Sequence, residues 1–185
     1  IKDISRQEAC NFFYEIMPQS RTYCRDKAII VERPLGTNFT CLYEKLIAEV
    51  INQIGTGDKY YFQKNPTVRV QFPGVNTSSI KHRDSDFGHP KNELNFWVPM
   101  TRIKKTTNLW FDLNGIDRCV DLKLGELVAF DGDILHFTKS NRGKATRVSF
   151  DFRLLKEVDY QKAEEKKSIA QNISFKTEYY EKWRQ

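Results

Sequence analysis

The chain of 185 residues has the length of one compact domain that can bury a real core. Its 39% hydrophobic and 29% charged residues make a globular mix, and no stretch has the roughly 18 unbroken apolar residues of a membrane span. A formal charge of +6 and a pI near 9.1 favour anionic partners, whether a phosphorylated metabolite, a nucleotide, a nucleic acid or a dicarboxylate.

No basic, apolar and small-residue leader of the secretory kind is visible, so the cytoplasm is the expected location. Cys10, Cys24, Cys41 and Cys119 are widely spaced and form no C-x-x-C pair, which points away from a zinc site or a disulfide framework. Interleaved Lys and Glu near the C-terminus read as a solvated helix face.

The first third, residues 1–58, is expected to be helical support. Ser5-Arg6-Gln7-Glu8 fits a capping box, and Leu42, Leu46, Ile47, Val50, Ile51 and Ile54 form an amphipathic stripe that stops before Gly55. Pro34-Leu35-Gly36 reads as a connection between helices.

From about Thr67 to Leu155 the apolar period becomes two. Strands are expected at Thr67 to Phe72, Glu93 to Val98, Thr107 to Leu113, Val120 to Leu124, Glu126 to Phe130 and Arg147 to Leu155. The tail, 156–185, returns to a helical composition with Ala163, Ile169 and Ala170, and carries Tyr179, Tyr180 and Trp183, which could pack against a second subunit in a homodimer.

Each strand has one apolar and one polar face. Val68, Val70 and Phe72 oppose Arg69 and Gln71, and Leu94, Phe96 and Val98 oppose Glu93, Asn95 and Trp97. In the last strand Val148, Phe150, Phe152 and Leu154 oppose Arg147, Ser149, Asp151 and Arg153. The polar faces either meet water or line a polar pocket. Trp97 and Trp110, beside Asn95 and Asn108, are poor choices for open solvent. A sheet rolled into a barrel or jelly roll, with helices on its apolar outside and a polar cavity inside, accounts for both faces.

In Lys81-His82-Arg83-Asp84 the His and Asp are two apart, so on extended backbone both side chains leave one side and can meet a metal ion. Gly132-Asp133-Ile134-Leu135-His136 follows a strand-like run, with enough chain between for the fold to bring His136 back. Two imidazoles and one carboxylate on one face of an octahedron leave open positions for chemistry. Downstream, Arg147 and Ser149 share a strand face, and a guanidinium fork beside a hydroxyl suits a carboxylate. For any one of these residues taken singly, a structural histidine or a surface salt bridge is the plainer explanation.

As a set, H-x-D, a distal His closing a G-D-x-x-H turn, and R-x-S resemble the iron(II)/2-oxoglutarate-dependent dioxygenase superfamily over residues 67 to 155. The strings HRDSDFGHPKNELNFWVPMT and GELVAFDGDILHFTKSNRGKATRVSFDFR look similar to the branch found in bacterial carbohydrate and aminoglycoside biosynthesis. The resemblance implies an α+β fold with a double-stranded β-helix (jelly-roll, cupin-like) core at 67–155. It implies iron(II) on His82, Asp84 and His136, and 2-oxoglutarate held by Arg147 and Ser149. With O2 as oxidant, succinate and CO2 would be released as a small polar, possibly sugar-containing or phosphorylated substrate is hydroxylated.

Asn95 and Gln71 are candidate hydrogen-bond partners of 2-oxoglutarate or of a metal ligand. Arg69, Trp97, Trp110 and His89 are candidate substrate contacts, and Arg69, Lys139, Arg142 and Lys144 either make the pocket rim positive, as a phosphorylated substrate would suit, or form a solvated basic loop. Packing alone could equally explain the tryptophans.

Two enzymatic alternatives and one non-enzymatic one stand beside this reading. In a cupin-like isomerase or epimerase, Gly125, Gly132, His136 and Asn141 would approach the second cupin motif, but His82-Arg83-Asp84 replaces the usual H-x-H. In an AlkB-type nucleic-acid demethylase, Arg147 and Arg153 would match the two arginines of R-x-N-x-T-x-R, but the central Asn and Thr are absent and nucleic acid is an unfavoured partner. A binding module that lost turnover would not need every ligand type kept.

Overall fold

The computed structural model describes residues 22–25, 28–31, 37–74, 79–167 and 173–184. The capping box at Ser5 to Glu8, the Pro34 to Gly36 connection, Ile169 and Ala170 lie outside them. All strand pairs are antiparallel.

The first third departs from the expected helical support. Strands β1 (Thr22–Arg25) and β2 (Ala28–Val31) pair with each other, and β2 joins β4 (Thr67–Gln71). The run Ile29, Ile30, Val31 is β-branched, which suits a pleated surface better than a helix. Helix α1 (Thr37–Ile54) follows. Tyr43, Ile47, Val50 and Ile51 are buried along it at helical spacing, whereas Leu42, expected on that stripe, points to solvent at 65% exposure. Gly55 ends the helix with φ +64, its N–H donating to Ile51 O at 3.2 Å, a left-handed closure that glycine adopts at little cost.

Strands β3 (Tyr60–Gln63), β4 (Thr67–Gln71), β5 (Leu94–Pro99), β8 (Val128–Asp131) and β10 (Arg147–Lys156) build the larger sheet. At its centre, β10 pairs with β4 and β3 along one edge and with β5 along the other. A smaller sheet holds β6 (Leu109–Leu113), β7 (Ile116–Cys119) and β9 (His136–Thr138), in the order β7-β6-β9. The strand expected at Val120 to Leu124 is therefore displaced to Ile116–Cys119. Its cause is Asn114-Gly115, both at positive φ (55° and 83°), which turns β6 directly into β7 as a two-residue hairpin.

Among the described residues of the expected helical tail, only α2 (Glu157–Lys162) and a single wide turn at Phe175–Tyr179 are helical. The chain then returns as β11 (Tyr180–Lys182) on β3. Tyr179 and Tyr180 are buried, and Trp183 meets Phe62 edge-on at 5.8 Å, so these aromatics make contacts within the chain. No helix among the described residues is long and apolar enough to cross a membrane.

The two faces of the larger sheet divide as their alternation requires. α1 covers the apolar face: Tyr43 meets Phe152 edge-on at 5.6 Å, Phe39 meets Phe150 at 6.0 Å, and Phe152 stacks on Phe96 at 4.8 Å. The opposite face carries Arg69, Asn95, Trp97, Asp151 and Arg153, which line a cavity closed by His82 and His136.

Candidate metal centre

Two segments far apart in sequence are clamped by backbone bonds. His82 N donates to His136 O at 3.1 Å, His136 N returns to His82 O at 3.0 Å, and Asp84 N donates to Gly132 O at 3.0 Å. Arg83 is extended (φ −103°, ψ 151°), so His82 and Asp84 project to one side, and the chain then tightens into a turn over Asp84–Phe87. Arg83 Nε reaches Asp133 O at 2.9 Å and fixes the turn before His136.

His82, Asp84 and His136 offer three donor atoms within 4.8 Å of one another. Asp84 Oδ1 lies 3.5 Å from His136 Nε2 and 3.8 Å from His82 Nε2. Two ligands at right angles on an ion, with bonds of roughly 2.1 Å, would be about 3.0 Å apart, so small side-chain movements close the site. His82 Nδ1 is 2.8 Å from Ile80 O and His136 Nδ1 is 2.9 Å from Ile134 O. A carbonyl can only accept, so each Nδ1 carries the proton and each Nε2 lone pair is left for a metal.

The charges suit the same task. Burial lowers the pKa of His136, only partly offset by Asp84, which favours the neutral imidazole that a metal requires. Burial alone would raise the Asp84 carboxyl, but Arg153, His89, His136 and the Asn95 hydrogen bond hold it below the usual carboxylate range. Neutral imidazoles and an ionised carboxylate form the two-histidine, one-carboxylate donor set of non-haem iron(II) centres.

Arg147 and Ser149 lie on the polar face of β10. Both are buried; Arg147 Nε and Nη1 and Ser149 Oγ have no hydrogen-bond partner among the described residues. The Arg147 guanidinium extends over Trp97, at 5.9 Å from its ring, and Trp97 lines the cavity. Burial, helped by repulsion from Arg69, brings the Arg147 pKa down to about 10. An unpaired buried cation is costly unless an anion joins it.

The other candidates are placed as follows. Asn95 donates to Asp84 Oδ2 at 2.9 Å. Gln71 donates to Lys139 O at 3.0 Å and so tethers the loop before β10. Asn141 anchors the same loop through Gln71 O and Ala145 O. Arg69 lines the cavity and pairs with Asp151 at 2.7 Å. His89 Nδ1 pairs with Glu93 at 2.9 Å behind the centre, where Asp84, His89 and Glu93 make a second possible ligand group. Trp110 does not share the cavity with Trp97. On β6 it is Leu109 that lines the cavity, and its neighbour Trp110 lies against Lys139, whose Nζ is 3.4 Å from the ring centroid.

Sequence reasoning missed Arg153, Asp151 and Glu93 as site residues. Arg153 Nε donates to Asp84 Oδ2 at 2.8 Å, and Nη1 reaches Asp151 Oδ2 and Gln63 Oε1, each at 3.1 Å. Glu93, 1% exposed, accepts from the Tyr180 hydroxyl. The polar periodicity of β10 was the available signal, because Asp151 and Arg153 continue the face of Arg147 and Ser149.

The fold is that of the non-haem 2-oxoglutarate/iron(II) oxygenases. A 2-oxoglutarate-dependent epimerase of nogalamycin biosynthesis, SnoN, superposes with a TM-score of 0.60 at 14% identity, over 81% of this chain and 71% of that one. A Pseudomonas putida prolyl-4-hydroxylase gives 0.53 at 15%, over 80% and 84%. A 2OG-Fe(II) family oxidoreductase of Burkholderia pseudomallei gives 0.55 at 12%, over 80% and 77%. In sequence, the chain is 36% identical over 124 residues to the streptomycin biosynthesis protein StrG of Streptomyces griseus, covering 66% of this chain. That match spans 60% of StrG's length. No family model matches the chain.

Proposed function

We propose that the chain is an iron(II)- and 2-oxoglutarate-dependent oxygenase that hydroxylates a small polar substrate, with the two sheets forming a jelly-roll core around the site. The observation that carries this reading is the convergence of His82 Nε2, Asp84 Oδ1 and His136 Nε2, with both Nδ1 protons committed to carbonyls. The iron and keto acid, when bound, supply the oxidising chemistry that releases succinate and CO2. His82, Asp84 and His136 hold the metal. Arg147 and Ser149 hold the far carboxylate of 2-oxoglutarate, which supplies the anion that the buried guanidinium lacks.

Trp97 and Arg69 form the substrate side of the cavity, where the ring offers a stacking face and the guanidinium an anion contact. The likeness to a streptomycin biosynthesis protein supports a sugar-containing substrate, and the net positive charge and Arg69 at the cavity suit a phosphorylated one. A relative in fold that is an epimerase makes hydrogen abstraction without hydroxylation the second outcome to look for in product analysis.

The test is anaerobic titration with iron(II) and then 2-oxoglutarate, following the weak visible charge-transfer band that keto-acid chelation produces. The expected result is a band in the wild type and none in Arg147→Ala at the same keto-acid concentration. Iron binding without the band would overturn the reading and favour a cupin-like metal enzyme.

A further inference from the structure

The two oxygens of Asp84 have different surroundings. Oδ2 accepts from Arg153 Nε at 2.8 Å and Asn95 Nδ2 at 2.9 Å, which uses the oxygen's two lone pairs. Oδ1 accepts no hydrogen bond among the described residues and lies 3.5 Å and 3.8 Å from the two imidazole Nε2 atoms. Arg153 is itself held: Nη1 is shared by Gln63 and Asp151 at 3.1 Å, and Asp151 is bound by Arg69 at 2.7 Å. Glu93 Oε1 stands 3.9 Å behind Nε, and that carboxylate is tied by His89 at Oε2 and by the Tyr180 hydroxyl at Oε1. Releasing Oδ2 would therefore disturb residues from β3, β4, β5 and β10 together.

We propose that Arg153 and Asn95 are positioning residues that reserve Oδ2, so that Asp84 binds the metal through Oδ1 alone. The inference rests on the reading of the centre given above and adds a role for Arg153. A carboxylate left to itself can clasp a divalent ion with both oxygens. In an octahedral site that would leave two open positions, whereas one-oxygen ligation leaves three, as a chelating keto acid and O2 together need.

Manganese(II) is the probe, because its free ion is counted by electron paramagnetic resonance and its exchangeable waters by proton relaxation. In the wild type we expect a bound ion with the relaxivity of three water positions. In Arg153→Met/Asn95→Leu, Oδ2 is free to join, and relaxivity per bound ion should fall by about one third, with Arg153→Lys restoring it in part. A residue that served folding alone would change the affinity or the melting point and leave relaxivity per bound ion unchanged, and that result overturns the proposal. Asn95→Leu by itself leaves the Arg153 ion pairs intact and must also lower relaxivity per bound ion; an unchanged value there counts against the proposal even if the double variant does not fold. Failure of the wild type to bind manganese would instead overturn the reading of the centre.

Discussion

Replacing Arg147 by methionine should stabilise the metal-free protein and remove its response to 2-oxoglutarate. The guanidinium is 3% exposed, two of its nitrogens lack partners, and its pKa is drawn down to about 10 by burial and Arg69. Measured from the ordinary arginine value, a fall of that size corresponds to about 3 kcal/mol against the charged form. Because the folded-state value is lowered for a cation, this penalty is fully present below about pH 10 and disappears only as the pH rises past the unfolded value. Methionine supplies a similar unbranched stem without charge, and exchanging buried charge for apolar volume stabilises by about 1–4 kcal/mol. Lost contact with Trp97 and imperfect repacking take back part, leaving an expected gain of about 1–2 kcal/mol, or roughly 2–8 °C in midpoint for a chain of this size. The assay is thermal unfolding by circular dichroism in chelator, then anaerobically with iron(II) and 2-oxoglutarate. At about a hundred times its Kd the keto acid should stabilise the wild type by about 2.7 kcal/mol and the variant by almost nothing. A variant that melts several degrees below the wild type in chelator would show that the guanidinium is already satisfied, and would refute the reasoning.

Asp84→Ala should abolish metal binding and also destabilise the metal-free protein by about 3–5 kcal/mol in urea unfolding, because it leaves Arg153 buried beside an empty position. Phe152→Ala, at a fully buried ring packed between Tyr43 and Phe96, should cost about 3–5 kcal/mol and leave manganese affinity of the folded fraction unchanged. Burial pushes the Asp151 carboxyl up, but Arg69 and Arg153 outweigh it and hold it below the ordinary value. Its contribution to stability is therefore complete above about pH 4 and lost as the pH falls further, so urea midpoints should drop on acidification less steeply in Asp151→Asn than in the wild type.

What the sequence made legible followed from strict local rules. The alternation of β10 is unbroken from Arg147 to Leu154, and the sheet sorts its residues accordingly, with Phe152 and Leu154 in the apolar core and Asp151 and Arg153 at the cavity. The spacing of His82 and Asp84 is equally short-range, and the extended Arg83 between them makes it effective. Other features depend on partners distant in sequence. Nothing local says that Gln63 will meet Arg153, because their bond spans ninety residues and exists only once β3 and β10 pair. The displaced β7 was a different kind of miss: Asn114-Gly115 is a strong hairpin signal, and weighing it above apolar composition would have put the strand at Ile116. The tail failed because its charges resemble a solvated helix, while Phe175, Tyr179 and Tyr180 find a separate buried cluster with Leu155.

One strand thus carries two jobs, and its period of two keeps them apart. Val148, Phe150, Phe152 and Leu154 lie on the face packed against α1, where each buried apolar side chain contributes about 1.5–3 kcal/mol. Ser149, Asp151 and Arg153 present hydroxyl, carboxylate and guanidinium to the other face, where desolvation makes charge expensive unless it is matched. Along that face the matching is nearly complete: Arg153 is shared by Asp84 and Asp151, and Asp151 by Arg69. Arg147 and Ser149 stand at the end where it stops. A fold that satisfies one end of a polar row and leaves a cation and a hydroxyl waiting at the other loses stability there. That loss has a physical rationale if the row is completed by a bound carboxylate, and under the proposed function the anion would then sit at the Arg147 end of the row and the metal at the Asp84 end.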